Sequence, residues 1–468
     1  MIRLQIRIVK ATENKNWNLV KRLQFLLTNS FYAKAIAIKK VTSNKGKKTA
    51  GIDNEVWDTD KKKWEAIGKL NKKGYKAMPT KRVYIPKSNG KKRPLSIPTM
   101  KDRAMQTLYL LAIQPVEETT ADEHSYGFRL NRGCHEACEQ IFADLSLKGS
   151  DQWILEGDIK GCFDNISHEW MLNSICMDKR ILKQFISAGY VFKKELFPTS
   201  RGAAQGGAIS PTLANFVLDG LEKEIWKNIN IGKSGSIVKH KNLHKVHVIQ
   251  YADDFIVTGD TKETLEKVRK IIIDFMHERG LQLSEEKTLI TNISNGFDFL
   301  GWNFRKYRNK LIIKPSKKSV QRFQASLSEA IRHLLPAEQQ LLILKLNQKL
   351  RGWCNYHSTV CAKDTFKQID FYVFHELLWW MKRKHNNKRI HHFYAKYWKT
   401  IGKRNNVFTD GKWILVSCSY TPIVRYPKLK QGINPYTNKE YFEKRKESIK
   451  SKRAKARKRV ATVNPAYV

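Results

Sequence analysis

The chain lacks any apolar run approaching the roughly 18 residues that a membrane-spanning helix needs, so no membrane partner is expected. The opening stretch MIRLQIRIVK alternates apolar and charged residues and has no uninterrupted apolar core of the kind a secretory leader carries. Cysteine is sparse and unpatterned: seven residues, at positions 134, 138, 162, 176, 354, 361 and 418, with no Cys-x-x-Cys pair. An odd, irregular set argues against a disulfide framework or a zinc ribbon and for reduced thiols in a cytosol. Negative charge is also scarce, with 43 Asp plus Glu against 87 Lys plus Arg, a net charge of +44. Because 41% of the residues are hydrophobic, this is a folded basic protein and not a disordered basic tail. Such an excess favours a polyanionic partner, since every Lys or Arg that neutralises a phosphate releases condensed counterions.

At 468 residues the chain is too long for one core, and two to four domains are expected. Apolar spacing predicts two amphipathic helices over 12–41, a β-hairpin over 81–98 around Ser88-Asn89-Gly90, and a helix from Asp102 to Glu118. WILEGDIKGCFD (153–164) begins as a strand and then breaks, and residues 205–226 enter a helix. HVIQYADDFIVTG reads as a hairpin bent at Asp253-Asp254, followed by a helix over 263–279 and a last hairpin in GFDFLGWNFRKYRNKLIIK. Residues 318–353 and the aromatic-rich 366–384 read as helical. The run Glu443–Arg459 holds ten Lys or Arg against two Glu with no apolar stripe, which reads as a solvated or RNA-bound tail.

The chemistry concentrates in the carboxylates. In-line displacement at a nucleotide needs two divalent cations, and hard Mg²⁺ takes oxygen ligands. Asp253-Asp254 at a bend and Asp158 at a strand end, beside the backbone carbonyl of Ile159, offer such ligands. Adjacent Asp residues are common on surfaces. Apolar flanks on both sides change that, because buried carboxylates are costly unless a cation compensates them.

Ordered blocks carry a resemblance: TAGID (49–53), YIPKSNGKKRPLSIPTMKDRAMQ (84–106), HSYGFRLNR (124–132), GDIKGCFDNISH (157–168), QGGAISPTLAN (205–215), YADD (251–254), GLQLSEEKT (280–288), GFDFLGW (296–302) and RGWCNYH (351–357). From about residue 12 to 435 the chain resembles bacterial group II intron-encoded reverse transcriptases, or maturases. The resemblance implies an α+β right-hand polymerase: N-terminal extension and fingers (1–152), palm (153–313), helical thumb or maturase domain (314–385), basic DNA-binding region (386–442) and tail (443–468). It implies two Mg²⁺ held by Asp158, Ile159, Asp253 and, more loosely, Asp254. Phe163 would lie under the sugar and select dNTP, Lys87 and Arg93 would grip the triphosphate, and Gln205 and Gly206 would approach the template base and nucleotide. Lys287 would protonate the leaving pyrophosphate. Trp353, Tyr356 and His357 would belong to the maturase region, while Lys388, Arg389, Lys396, Lys399, Lys403 and Arg404 suit intron RNA or target DNA.

Implied partners are RNA template and intron RNA, primer or target DNA, and dNTP, in a bacterial cytoplasmic ribonucleoprotein that splices its intron and retrohomes. The competing readings are a splicing-only maturase and a polymerase recruited to phage defence or CRISPR adaptation. Two departures stand out. Family members read Gly-Thr-Pro-Gln-Gly where this chain has Gly202-Ala203-Ala204-Gln205-Gly206, which loses a proline's stiffness and restores an N–H donor. With no cysteine pair after Cys418, the C-terminal metal-dependent endonuclease of many relatives is not expected.

Overall fold

A computed structural model describes residues 1–86, 90, 92–232, 236–238, 241–386, 390–402 and 404–463. Lys87, Lys388, Arg389 and Lys403 therefore lie outside the described residues, as does most of the turn at Ser88-Asn89. The chain divides into two compact units, one of residues 1–144, 150–290 and 429–442, the other of 145–149, 291–428 and 443–468. Among the described residues no helix is long and apolar enough to cross a membrane.

The first unit opens with three helices, Ile2–Glu13, Trp17–Asn29 and Phe31–Ser43, where the sequence suggested two beginning later. The alternation in MIRLQIRIVK hides a helical face: Ile8 and Ala11 are buried, with Leu4 packed against the same core. These helices surround Met100–Thr120, which buries residues on all sides and so occupies the centre of the unit. Asp102, at its first turn, accepts from Thr99 Oγ1 (2.7 Å) and Tyr75 OH (2.6 Å). The predicted hairpin is present as Thr80–Pro86 antiparallel to Lys92–Ile97, and Tyr190–Phe192 extends its sheet in parallel.

A second sheet carries the bent hairpin. Its strand order is Val248–Tyr251, Asp254–Gly259, Trp153–Asp158 and Leu289–Asn292. Strands read as VIQY and FIVTG are apolar because both faces are covered, one by the helix Lys262–His277. The predicted helix over 205–226 is two helices, Ser210–Leu218 and Leu221–Ile229, divided at Gly220, whose φ of +95° a side chain rarely adopts.

In the second unit the expected last hairpin is a three-stranded sheet, Phe297–Phe299, Trp302–Tyr307 and Lys310–Pro315. The extra strand arises because Leu300-Gly301 both take positive φ and fold Phe297–Phe299 back onto Trp302. Lys317–His333 and Gln339–His357 break around Pro336, which cannot donate to a continued helix. Trp302 stacks on Tyr356 with centroids 4.5 Å apart, and Trp380 on the helix Lys363–Lys384 is fully buried. The basic tail is not structureless: Lys439–Val463 is a helix, mostly exposed beyond Phe442, as a run of Lys, Arg, Ala and Glu favours.

Candidate active site

The strand Trp153–Asp158 lies antiparallel to Asp254–Gly259 in a register that sets Asp158 directly opposite Asp254. One pair inward, Gly157 faces Phe255, whose ring fills the space a side chain at 157 would need. Asp254 also closes the hairpin against Tyr251, leaving Ala252 and Asp253 as its two turn residues. Ala252 has a φ of +57°, a conformation glycine takes more readily, so the turn is held from outside. Its support is the segment 124–127. Gln250 N donates to His124 O and Tyr126 N to Gln250 O, both at 2.9 Å. Gly127 approaches so closely that a Cβ there would stand 2.2 Å from Ala252 N.

On the other flank of Trp153–Asp158 runs the segment 280–288. Ser284 N donates to Asp158 O (2.8 Å) and Lys160 N to Gln282 O (2.9 Å), with Ile159 bridged to Leu283 between them. Because backbone groups alternate sides along a strand, the Ile159 carbonyl points away from the 280–288 segment, to the side on which the Asp254–Gly259 strand lies. The same segment delivers Lys287, whose Nζ lies 2.8 Å from Asp158 Oδ2. This hydrogen bond raises the lysine pKa, with the Asp158, Asp254 and Asp253 charges adding to it against slight burial.

Partial burial, then the Asp253 and Asp158 charges, push the Asp254 carboxyl up to about 6, with Lys287 pulling it back. Asp254 nevertheless keeps an exposed side chain. Desolvation and the Asp253 charge drive the nearby Cys162 thiol up to about 12, so it is an inert packing residue.

A cleft of about 690 Å³ gathers Arg93, Asp158, Ile159, Phe163, Gln205, Asp253 and Lys287. Asp254 stands at the paired position behind it, and Gly206 beside Gln205. With its amide oxygen turned toward Arg93, Gln205 accepts from Nε (3.2 Å) and Nη2 (3.0 Å) and donates to Pro94 O (2.6 Å). Gly206 has a φ of +119°, and a Cβ there would meet Ser96 O at 2.6 Å, so the loop lies flat on the hairpin strand. The loop that lacks the family proline is pinned by hydrogen bonds instead. Ser96 N donates to Gln205 O, Ala203 N to Phe163 O, and Ser210 Oγ to Ala204 O, at 2.7, 2.7 and 2.8 Å.

Sequence reasoning passed over Gln106 and Asn215, although both lie inside quoted blocks. Gln106 Oε1 accepts from Ala208 N (2.8 Å), and Asn215 reaches back to the segment behind the turn. Their only signal was a polar residue on an otherwise buried helix face.

The donor set fits a hard divalent cation: Asp158, Asp253 and the Ile159 carbonyl offer only oxygen, and the Lys287 ammonium against Asp158 shows positive charge already in demand there. Among the described residues no three His, Cys, Asp or Glu side chains form a cage on their own. Mg²⁺ does not need one, since substrate phosphates and waters complete its shell.

The sequence model of the family "Reverse transcriptase (RNA-dependent DNA polymerase)" matches residues 85–304, that of its N-terminal domain residues 1–70, and that of the "Group II intron, maturase-specific domain" residues 320–398. The group II intron-encoded protein LtrA of Lactococcus lactis is 28% identical over 456 residues, covering 79% of this chain and 75% of that protein. Protein YkfC of Escherichia coli is 31% identical over 324 residues, covering 62% of this chain and 84% of that one. Among solved structures, telomerase from Candida albicans shows a distant likeness, with a TM-score of 0.39 and 11% identity over 69% of this chain and 64% of its own.

The chain belongs to the reverse transcriptase family, on the group II intron branch that joins the polymerase to a maturase-specific domain. It is an RNA-directed DNA polymerase.

Proposed function

We propose that the cleft lined by Asp158 and Asp253 joins dNTPs onto a DNA 3′ end along an RNA template, in a right-hand arrangement of fingers, palm and helical thumb. The observation carrying this is the convergence of Arg93, Phe163, Gln205, Asp253 and Lys287 on Asp158 in one cleft, from five separate stretches of sequence. Asp158, Asp253 and the Ile159 carbonyl would hold two Mg²⁺, with Asp254 a looser ligand. When bound, the ions activate the 3′ hydroxyl and neutralise the triphosphate.

Arg93, steadied by Gln205, grips the triphosphate through its two-pronged guanidinium, and Lys87 adds a point charge. Phe163, only 9% exposed at the cleft wall, meets the sugar edge, where a ribose 2′ hydroxyl has no room. The 3′ hydroxyl releases its proton to solvent as its oxygen bonds to the α-phosphorus, the bond from that phosphorus to the β-phosphate oxygen breaks, and Lys287 gives a separate proton to the departing pyrophosphate. Gly206, free of a side chain, keeps its loop low on the hairpin strand, which leaves the loop backbone open to the template base and nucleotide.

The maturase-specific domain and the net charge of +44 support binding of the host intron RNA, assistance to its splicing, and target-primed cDNA synthesis at a DNA site, in a bacterial cytoplasmic ribonucleoprotein. Primer extension on an RNA template, with dNTPs or rNTPs, tests the site beside Asp253→Ala. Equal incorporation by wild type and variant overturns it. Splicing of an intron transcript by the same variant separates splicing help from polymerisation.

A further inference from the structure

The Asp253 turn and the Gln205 loop belong to stretches about 50 residues apart, yet the reaction needs them at a set spacing. One helix connects them. Ser210–Leu218 begins directly after the Gln205–Gly207 loop, which its first residue ties down through Ser210 Oγ to Ala204 O (2.8 Å). Near its other end Asn215, 1% exposed, donates from Nδ2 to Gly127 O and to Glu117 Oε1, both at 3.0 Å. Gly127 is the residue pressed against Ala252, immediately before Asp253. Glu117 sits on the central helix Met100–Thr120, whose Gln106 accepts from Ala208 N in the loop at the helix start. Both ends of the short helix are thereby anchored to the same long helix.

We infer that Asn215 is a positioning residue: by clamping the Gly127 carbonyl it sets where the Asp253 turn stands relative to the loop carrying Gln205. The strained φ of Ala252 makes this clamp necessary. A two-residue turn whose first residue is forced into a left-handed conformation relaxes when the backbone behind it withdraws, and the carboxylate of the next residue moves with it. Asn suits the task because its amide nitrogen has two protons, one for each acceptor. Aspartate of the same shape has none and would set a carboxylate oxygen against the Gly127 carbonyl. The inference rests on the assignment of Asp253 to the reacting site.

The test is steady-state primer extension by the full chain on an RNA template, resolving kcat from the KM for dNTP. Asn215→Asp is expected to lower kcat by about tenfold to a hundredfold, with KM within about threefold of wild type, because Arg93 and Gln205 are untouched. Gly127→Ala pushes the same turn through its new Cβ and is expected to show the same split. The double variant should lose little more than the worse single one, since both changes act on one turn. If Asn215→Asp fails to fold in a thermal melt, Asn215→Ala is read in its place. A wild-type kcat, a KM that rises in step with the loss, or losses that multiply in the double variant overturn the inference. Asp253→Ala separates the two levels. Retained activity in Asp253→Ala means the reading of the site is wrong, whereas its loss beside a normal Asn215→Asp means that only the positioning role is wrong.

Discussion

Replacing Gly157 by alanine puts a methyl group where the Phe255 ring now lies. The new carbon would stand 2.2, 2.4 and 2.7 Å from three ring atoms, whereas non-bonded carbons settle at about 3.5–4.0 Å. The ring has to retreat by about 1.3 Å (3.5 − 2.2) to relieve the shortest contact. Phe255 is 2% exposed and packed in the core, so part of the movement falls on the two strands. Overpacking of this kind costs about 1–3 kcal/mol, which lowers the melting temperature by about 1–5 °C. The next pair in the ladder is Asp158 with Asp254. A displacement on the order of 1 Å at reacting groups costs about a hundredfold in rate. The assay is kcat for dNTP incorporation on an RNA template, run beside a thermal melt. Phe255→Leu in the Gly157→Ala background removes the clashing ring atoms and is expected to restore most of the rate. A folded Gly157→Ala enzyme with the wild-type rate, or one that the second change leaves unimproved, refutes the reasoning.

Four further outcomes are expected. Burial pushes the Asp151 carboxyl up to about 7 from 3.8, against the pull of Thr258. The folded protein then holds this proton more tightly than the unfolded chain, so the contribution to stability is full below the ordinary value and is lost as pH rises through about 7. Asp151→Asn should therefore be more stable than wild type by about 1–3 kcal/mol above pH 7 and match it in acid; equal stability at both extremes counts against this. Lys287→Met should slow single-turnover incorporation by about 10²-fold and change its pH profile, and a rate within threefold of wild type removes Lys287 from proton transfer. Phe163→Ala should relax discrimination against rNTPs by about 10–200-fold in the ratio of kcat/KM values, with an unchanged ratio assigning the ring to packing alone. If six to ten phosphates are contacted, affinity for RNA should fall by about 10³–10⁵ between 50 and 200 mM salt, and a flat salt dependence would contradict the electrostatic reading of the charge.

Much of the site was legible because its parts are local. A hairpin carrying two adjacent carboxylates, a strand ending at Asp158 and a glycine-rich loop at 205–207 each announce themselves within about ten residues, although the bend itself falls one residue earlier, at Ala252-Asp253, with Asp254 already paired in the strand. Element edges were less legible. MIRLQIRIVK reads equally well at a period of two or of 3.6 until a core chooses one face, and the basic tail shows no apolar stripe although its residues favour helix.

By itself the sequence determined the chemical inventory: which carboxylates, which basic and aromatic partners, in what order, and a charge suited to a polyanion. Tertiary structure alone decided the pairings. Asp158 faces Asp254 across 96 residues of chain, Lys287 reaches Asp158 across 129, and Asn215 holds Gly127 across 88. Such partners share no local pattern. They meet because buried backbone and amide groups must find hydrogen bonds and because glycines at 127, 157 and 206 leave room for one segment to press against another. That spacing is a property of the packed core, and it turns separate side chains into one site.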